Sequence, residues 1–595
     1  MPDRILALHR LDLGTAAQLA AQLSARAGGA SPAPIVTVFD AVLLSHAQAN
    51  GLPQVRLLAT PDCDIPHGAN ARALAATRLL CAAVDEVLAG LVPESVGAAW
   101  CGFWLQYLHL AVYGYRNIGR AMAAALAGSK VHVLLPDLPH RYGYHSFVPG
   151  LVLSDTLRAA GVAVQLYTSP LPAWDAPLLA DPFSGPAADT SQRASQSGPA
   201  GAALDAAGNA SHAPIDLLCH LPTCFYDHAL FAAEIAATGQ STLVLPSQVF
   251  DVALPGLSRC HLVSPELLAS RLSAAQRGQI EATLDRLGSV LSAHFLPLLP
   301  GAGLLQAQVK ALLAGYRQQA LLFFALDQRF AARPPKTLLL SNHDAGQHGA
   351  LFSFARRHQI RTVLLPHSKI YNEPITSHGH DLLCLTHPLQ GGEVQDLDSS
   401  PLRTGVLDFA EAWADSGQRS RSLASLGILL NGFSSNAMCL VDVTAYMAGL
   451  ARLRDWCVAN GVACHIRCRP NASAMALVCA SLGADAQDLI AHQQGTVAEF
   501  GAGCDLVLGY DVPTSGALEL LRHGVPVMQA LCRRLASQEW RIVSPAVVPQ
   551  LPLDDVLARL AGFHQQPALL WAYQREQVGR YLQARAPAQP LRAWL

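Results

Sequence analysis

The chain has 595 residues, of which 51% are hydrophobic and 14% are charged, and its 41 basic residues nearly balance 43 acidic ones. At about 100–200 residues per domain, this length predicts two to four domains with large buried cores. The composition excludes wholesale disorder, and the balanced charge does not indicate a nucleic-acid partner, which is usually matched by a basic excess.

The N-terminal segment, MPDRILALHRLDLG, contains Asp3, Arg4, Arg10 and Asp12 and therefore lacks the unbroken apolar run of a signal peptide. Its first part, Ile5–Leu8, predicts a strand that leads into a helix. The 14 cysteines include no C-x-x-C pair, which is typical of reduced, buried thiols. We therefore expect a cytoplasmic protein, one that can also lie at the inner face of the cytoplasmic membrane.

The segment Ser95–Tyr115 has 21 residues without Asp, Glu, Lys or Arg, which is long enough to span a bilayer. However, it contains Gln106, His109 and five tyrosine or tryptophan rings, several of them near its middle. This content favours a buried core helix, although the segment can also rest on a membrane surface.

Short apolar runs alternate with Ala- and Leu-rich helical stretches along most of the chain. Such runs are typical of parallel strands that helices cover on both faces, so the fold class we predict is α/β with doubly wound parallel sheets. The candidate strands are Ile35–Phe39, Val131–Leu135, Ala163–Tyr167, Asp216–Cys219, Thr242–Leu245, Thr337–Ser341, Thr362–Leu365, Leu382–Leu385, Gly427–Asn431, Cys464–Cys468, Leu506–Gly509 and Val525–Gln529.

Two polar stretches divide this pattern. Residues 184–213 consist mostly of Gly, Ala, Ser, Pro and Gln, which predicts a flexible insertion. Residues 391–425 are polar and poor in helical pattern, and we interpret them as an interdomain linker. The predicted domains are therefore an N-terminal α/β domain over residues 1–390 and a C-terminal one over residues 426–595.

Arginines end one of the C-terminal strands. The strand Gly427–Asn431 leads through small polar residues into a long predicted helix from about Ala437 to Asn460. Arg467 and Arg469 lie at the end of the next strand, where guanidinium groups suit phosphate recognition. Alternatively, one of these arginines faces solvent.

A possible anion site follows the strand Leu506–Gly509. Thr514 or Ser515 is a natural N-cap for the predicted helix Ala517–His523, and Gly516 allows a ligand to approach closely. The N–H groups of that first turn can bind a phosphate, and Glu519 can face a ribose hydroxyl. A capped helix without any ligand is the alternative.

Taken in order, these segments resemble the C-terminal half of bacterial GT-B glycosyltransferases that build surface polysaccharides of the capsule or O-antigen type. The match covers roughly residues 335–530, with a T-G turn, an R-x-H-P strand end, an S/T-x-x-x-E helix start and a g-x-P-v strand. The matching segments are Thr404-Gly405-Val406-Leu407-Asp408, Arg467-Cys468-Arg469-Pro470, Asp505-Leu506-Val507-Leu508-Gly509, Thr514-Ser515, Glu519 and Gly524-Val525-Pro526-Val527. Arg469 stands where the family pattern has His.

The resemblance implies a GT-B-like fold, with two Rossmann-like domains that face a cleft, and a sugar transfer from a nucleotide-activated donor to a glycan or lipid-linked acceptor. Arg467, Arg469, Thr514, Ser515 and Gly516 would hold the donor, with Glu519 nearby. The class of transferase, hexosyl or ulosonic, stays open, and peripheral membrane contact would suit a lipid-linked acceptor. The alternatives are a nucleotide-sugar epimerase, a glycerophosphotransferase and a non-catalytic binding subunit of the same fold.

Seven histidines lie between residues 343 and 387. Each candidate catalytic residue follows a strand: His343 and Asp344 follow Thr337–Ser341, and His367 stands where the family commonly has Q-H-G. These side chains are candidates for the base that removes the acceptor proton, although Asp344 can instead cap the next helix.

Chelating residues also occur together at His378, His380 and Asp381. We predict no metal and no cofactor, because this spacing has no recognised metal-binding frame and GT-B enzymes generally need no metal for chemistry.

Overall fold

The computed structural model describes residues 2–7, 12–26, 34–38, 55–57, 66–92, 96–136, 148–169, 214–220, 228–245, 260–262, 270–299, 302–341, 348–365, 380–385, 404–407, 422–430, 439–441, 443–468, 482, 495–511, 516–531, 534–537, 547–583 and 588–595. The predicted insertion at residues 184–213 lies outside this part of the chain, so its flexibility stays a prediction.

Three parallel sheets organise the described residues. The first has the strand order β3-β2-β1-β4-β5 and four associated helices. Its strands are β1 (Asp3–Ala7), β2 (Ile35–Val38), β3 (Val55–Leu57), β4 (Lys130–Pro136) and β5 (Ala163–Ser169), and the helices are α1 (Asp12–Arg26), α2 (Pro66–Leu88), α3 (Gly97–Leu126) and α4 (Val148–Ala159).

The second sheet has seven strands in the order β12-β11-β10-β9-β6-β7-β8. Its strands are β6 (Leu217–His220), β7 (Thr242–Leu245), β8 (Cys260–Leu262), β9 (Thr337–Ser341), β10 (Arg361–Leu365), β11 (Leu382–Leu385) and β12 (Thr404–Val406). The helices of this region are α5 (His228–Ala237), α6 (Ala274–Phe295), α7 (Ala302–Phe330) and α8 (His348–Arg357).

The third sheet has the order β15-β13-β16-β17-β19, and an antiparallel pair, β14 with β18, lies apart from it. The strands are β13 (Ser425–Leu430), β14 (Cys439–Val441), β15 (Ala463–Cys468), β16 (Leu506–Tyr510), β17 (Val527–Leu531), β18 (Arg534–Ser537) and β19 (Gln550–Pro552). The helices are α9 (Val443–Ala459), α10 (Val497–Ala502), α11 (Gly516–Arg522), α12 (Leu553–Gln565) and α13 (Pro567–Gln583).

Strand side chains alternate between two buried cores, which explains the continuous apolar runs in the sequence. Leu218 and Leu340 of the second sheet lie in one core, whereas Cys219 and Leu339 lie in the core on the opposite face. Both faces are therefore covered, as is typical of parallel sheets. The predicted fold class, α/β with Rossmann-like parallel sheets, is confirmed.

The first sheet shares its cores with both of the other sheets. Leu6 and Val131 on one face belong to the same hydrophobic core as Leu218 of the second sheet. On the other face, Ile5 belongs to the same core as Leu508 of the third sheet. The N-terminal strand is therefore packed between the two other parallel sheets. The domain limits predicted above stay a prediction, and the sequence does not anticipate that residues 1–390 contain strands of two sheets.

Residues 97–115 of the aromatic segment lie in helix α3, which is a buried core helix, as predicted. Trp100, Leu105 and His109 are buried, and the Trp100 indole N–H donates a hydrogen bond to Ser353 Oγ in α8 at 3.1 Å. Within the described ranges, no helix is both long and apolar enough to cross a membrane.

The C-terminal residues return to the second sheet. Leu591, Trp594 and Leu595 pack in the core that contains Leu339 and Leu407. A Cβ added at Gly405 would lie 2.8 Å from the Trp594 indole, so the absence of a side chain in β12 creates the space for this ring. Residues 404–406, which the family resemblance predicts as a turn, therefore form a strand against a distant part of the chain.

The expected long helix from about Ala437 to Asn460 is wrong in its first part. Residues Cys439–Val441 form strand β14, and the helix begins only at Val443. The reason is a tertiary contact that the sequence does not show, because Leu440 pairs with Ala536 of β18. The last predicted strand is also displaced, since β17 covers Val527–Leu531 and not Val525–Gln529.

A buried polar chain connects helices α2, α3 and α6. The Thr77 hydroxyl donates to the Ala73 carbonyl at 2.7 Å, so it can only accept from His109 Nδ1 at 2.9 Å. His109 Nε2 is then an acceptor for the N–H of His294 Nε2, 2.7 Å away. Burial, together with the neighbouring His294, lowers the pKa of His109 to about 3.

This arrangement predicts a loss of stability in mild acid. Unfolded His109 takes up a proton below about pH 6.5, whereas the folded side chain stays neutral until about pH 3, so the free energy of unfolding falls as the pH drops through this window. The variant His109→Gln keeps a hydrogen-bond donor and an acceptor but does not titrate in this range. Between pH 7 and pH 4.5, we expect its free energy of unfolding to fall by about 1–3 kcal/mol less than that of the wild type. Urea denaturation at several pH values measures this difference, and parallel losses in the two proteins would contradict it.

Candidate functional site

The strand orders define two topological switch points. In open parallel sheets, ligands bind at the switch point. This is the place where the chain connections from two neighbouring strands lead in opposite directions along the sheet. The second sheet has this switch point between β6 and β9, and the third has it between β13 and β16. The residues at these two strand ends are therefore the candidates for ligand contact.

A row of residues crosses the third sheet near its carboxyl edge. Arg467 pairs with Leu429, which pairs with Gly509, and Gly509 pairs with Gln529. Leu429 packs in the core that also contains Ala517 of α11, so this row and α11 lie on the same face of the sheet. Arg467 is half-buried and lies two strands, about 10 Å, from Gly509.

Asp511, the residue after β16, lies at the switch point of the third sheet. It is fully buried, and its φ of 58° lies in the left-handed region, which costs of order 1–3 kcal/mol for a residue other than glycine. Its N–H donates to the Ala530 carbonyl at 2.8 Å, and its carbonyl accepts from Gln529 Nε2 at 3.0 Å. Strand β17 therefore supplies hydrogen bonds to both backbone groups of this strained residue.

On the opposite face, Tyr510 fixes helix α9 against the same strand end. Its hydroxyl donates to the Tyr446 carbonyl at 2.7 Å, and the two rings meet edge to face at 4.6 Å. A Cβ at Gly449 would lie 2.4 Å from the Tyr510 oxygen, so only glycine leaves room for this contact. The end of β16 is thus held from both faces.

Helix α11 begins at Gly516, which is buried, and Glu519 follows one turn later, half-buried. The helix has seven residues and ends at Arg522, which is 6% exposed. The turn after it is held by α13, because Gln574 Nε2 donates to the Gly524 carbonyl at 2.9 Å. Gly516 therefore belongs to a packed helix and not to an open loop.

His220 occupies the switch point of the second sheet, at the carboxyl end of β6. It is 1% exposed, and its Nδ1 lies 3.4 Å from the Leu245 carbonyl, which makes Nδ1 the protonated nitrogen. Nε2 is then an acceptor, and it has no hydrogen-bond partner among the described residues. Burial lowers the pKa of His220 to about 4, so the ring is neutral at physiological pH.

His220 was not identified from the sequence. It pairs with Leu340, the residue before the end of β9, and His343 and Asp344 follow that strand in the chain. The signal that was available is modest: a histidine ends an apolar run, Leu217–Cys219, inside a predicted parallel strand.

The start of α8, which follows His343 and Asp344 in sequence, is fixed by packing. A Cβ at Gly349 would lie 2.1 Å from the Ala99 carbonyl oxygen of α3, so the two helices meet backbone to backbone. The Ala350 N–H donates to Gln319 Oε1 of α7 at 2.7 Å. One of the first-turn N–H groups, which have no partner within the helix, is therefore hydrogen-bonded to another part of the protein.

Of the predicted site residues, Arg467, Gly516 and Glu519 belong to described elements, and all three lie on elements of the third sheet. The remaining six lie outside the described residues, and their roles stay predictions; they are His343, Asp344, His367, Arg469, Thr514 and Ser515.

Asp381, considered above as a metal ligand, has a structural contact. Its Oδ2 accepts from the Thr362 N–H at 2.7 Å and from the Thr362 hydroxyl at 2.9 Å, which ties β11 to β10. His380 packs against Phe352, with ring centroids 4.5 Å apart. Among the residues with described positions, no three His, Cys, Asp or Glu side chains form a group that could hold a metal ion.

No protein-family model and no curated protein matches this sequence. Among solved structures, the chain is similar to spinosyn rhamnosyltransferase SpnG complexed with spinosyn aglycone, at 14% identity and a TM-score of 0.31, over 64% of this chain and 100% of that one. It is also similar to the glycosyltransferase of kitacinnamycin (11% identity, TM-score 0.35, 61% and 94%) and to UGT89C1 of Arabidopsis thaliana (10% identity, TM-score 0.35, 62% and 94%).

Proposed function

We propose that this protein is a glycosyltransferase that moves a sugar from a nucleotide-activated donor to an acceptor hydroxyl. The observation that carries the proposal is the carboxyl edge of the third sheet. There, Arg467 and Gly509 lie in one cross-strand row, and Asp511, with its φ in the left-handed region, follows β16 at the switch point. This is the position at which doubly wound sheets bind nucleotides.

The donor half of the reaction needs positive charge at the leaving phosphate. Arg467, with Arg469 two residues later, would supply charge-assisted hydrogen bonds, each of about 1.5–3 kcal/mol. Thr514, Ser515 and Gly516 would contact the phosphates, and Glu519 a ribose hydroxyl. As the glycosidic bond breaks, negative charge grows on the phosphate, so these contacts strengthen in the transition state.

The acceptor half of the reaction needs a proton removed from the attacking hydroxyl. We assign the base to His343, Asp344 or His367, which follow β9 and β10 in the chain. Neutral His220 would orient the acceptor substrate by accepting a hydrogen bond from it at Nε2. This nitrogen is buried beside the end of β9 and has no partner among the described residues. Its lowered pKa makes it a weaker base than an exposed histidine.

The finer assignment follows from the sequence resemblance alone. We propose a glycan or lipid-linked acceptor and a role in surface polysaccharide synthesis of the capsule or O-antigen type. The protein would then work in the cytoplasm or in peripheral contact with the inner face of the cytoplasmic membrane. Neither a metal nor a cofactor is part of the proposed chemistry.

The decisive experiment measures nucleotide binding and turnover together. Purified protein is screened by thermal shift with CMP, CDP, UDP, GDP, dTDP and ADP, and the corresponding nucleotide sugars are then tested for hydrolysis with and without acceptor. Transfer that depends on an acceptor supports the proposal. Binding without turnover would instead support a non-catalytic subunit, and epimerised or glycerophosphoryl products would support the other two enzyme classes.

Arg467→Ala should weaken binding of the preferred nucleotide roughly tenfold, the effect of losing about 1.4 kcal/mol, while the melting temperature stays near that of the wild type. Arg452→Ala is the matched control, because Arg452 forms an exposed ion pair with Asp554 on α9 and α12. Gly516→Val also tests access to the site, but Gly516 is buried, so this variant changes packing as well. Equal affinities for Arg467→Ala and Arg452→Ala, measured by calorimetry, would overturn the donor site.

His220→Phe separates a functional histidine from one that only packs. Phenylalanine removes the desolvation cost of the unpartnered Nε2 but also loses the 3.4 Å contact of Nδ1 with the Leu245 carbonyl, so we expect a melting temperature near that of the wild type. If His220 orients the acceptor, kcat falls about 10- to 100-fold, while nucleotide affinity stays constant. A variant with full activity would leave His220 as a core residue only.

A further inference from the structure

We propose that Gln529 is a positioning residue for the donor site and that it acts through the backbone of Asp511. Its side chain crosses β16 at position 509, where only glycine leaves room for it. This inference rests on the proposed function and adds a residue that the sequence did not indicate. Its basis is the set of contacts at the carboxyl edge of β16 and β17.

The Gln529 side chain lies flat across the neighbouring strand. Gln529 and Gly509 are paired residues in β17 and β16, so their side-chain directions lie on the same face of the sheet. A Cβ on Gly509 would lie 2.2 Å from Gln529 Oε1 and 3.0 Å from its Cδ. Only a residue without a side chain leaves room for the amide in this place.

From that position, the amide of Gln529 reaches the backbone of Asp511. Gln529 Nε2 donates to the Asp511 carbonyl at 3.0 Å, and both residues are buried. The Asp511 N–H is bound by Ala530, the next residue of the same strand. Two consecutive residues of β17 therefore hold the peptide groups on either side of a residue in the left-handed region.

These two hydrogen bonds fix the peptide groups of Asp511 at the end of β16, beside the switch point. Arg467 belongs to the same cross-strand row as Gly509 and Gln529, and α11 lies on the same face. A change in the position of the Asp511 carbonyl would therefore alter the end of β16, which lies two strands from Arg467 at the sheet edge where we place the donor. Gln529 acts through Asp511, because its side-chain amide donates to the carbonyl of that residue.

A double-mutant cycle tests this mechanism. Gln529→Ala removes the donor amide, and Gly509→Ala places a methyl group where the amide lies, so each should weaken binding of the nucleotide that the wild type prefers by roughly tenfold. In the double variant, the space left by Gln529 accommodates the new methyl group. Gly509→Ala should then add less than about a twofold change, because both substitutions break the same contact.

Steady-state kinetics give a readout that a merely structural role would not move. The KM for the donor should rise with the loss of affinity, whereas kcat at saturating donor and the KM for the acceptor should stay near the wild-type values. Gln577→Ala is the matched control. It removes another buried glutamine that bonds the backbone, at Val527 N (2.8 Å) and Val547 O (2.6 Å), but at the opposite, amino end of β17. It should lower the melting temperature without changing nucleotide affinity.

The outcomes separate this inference from the proposed function. A wild type that binds none of CMP, CDP, UDP, GDP, dTDP and ADP overturns both. If the wild type binds one of them and Gln529→Ala binds it equally well, the positioning role fails while the donor site stands. Additive losses from Gly509→Ala and Gln529→Ala would also overturn it, since the two changes would then act through different contacts.

Discussion

The packing of the first sheet between two hydrophobic cores is the constraint on which the rest of the molecule depends. Ile5 and Leu6 are neighbours in one strand, and each enters a different core, one shared with the third sheet and the other with the second. Because alternate residues of a strand point to opposite faces, one short segment is a structural partner of two distant parts of the chain. The carboxyl edges of the second and third sheets are therefore positioned through a sheet that supplies no predicted catalytic residue.

Much of the fold was predictable because burial on both faces leaves a simple pattern. Runs such as Leu382–Leu385, which is entirely apolar, and Thr242–Leu245, which is apolar after its first residue, are strands with the predicted limits. The short strands were not predictable in the same way. Residues Cys439–Val441 resemble the helix that follows them, and only their pairing with Arg534–Ser537 makes them a strand. Pairing between distant segments is a tertiary effect that local propensity does not carry.

The same distinction holds for the candidate site. Arg467 was visible because a charge at the end of an apolar strand is unusual. Gln529 was not, because a polar residue within a strand has many explanations, and its contact depends on which strand lies beside it. Gly509 shows this most clearly: the sequence contains the glycine, but only the register of β16 and β17 shows which side chain requires it.

The return of the C-terminal residues to the second sheet bears on the order in which the protein folds. Leu591 and Trp594 complete a core with Leu217 and Leu339, strand residues that the ribosome makes more than 200 residues earlier. During synthesis, one face of the second sheet therefore stays incompletely covered until the third sheet and the C-terminal residues have been made. An unfinished sheet with exposed leucines is prone to misassociation. The nascent chain accordingly passes through a long interval in which chaperone binding to this face would matter most.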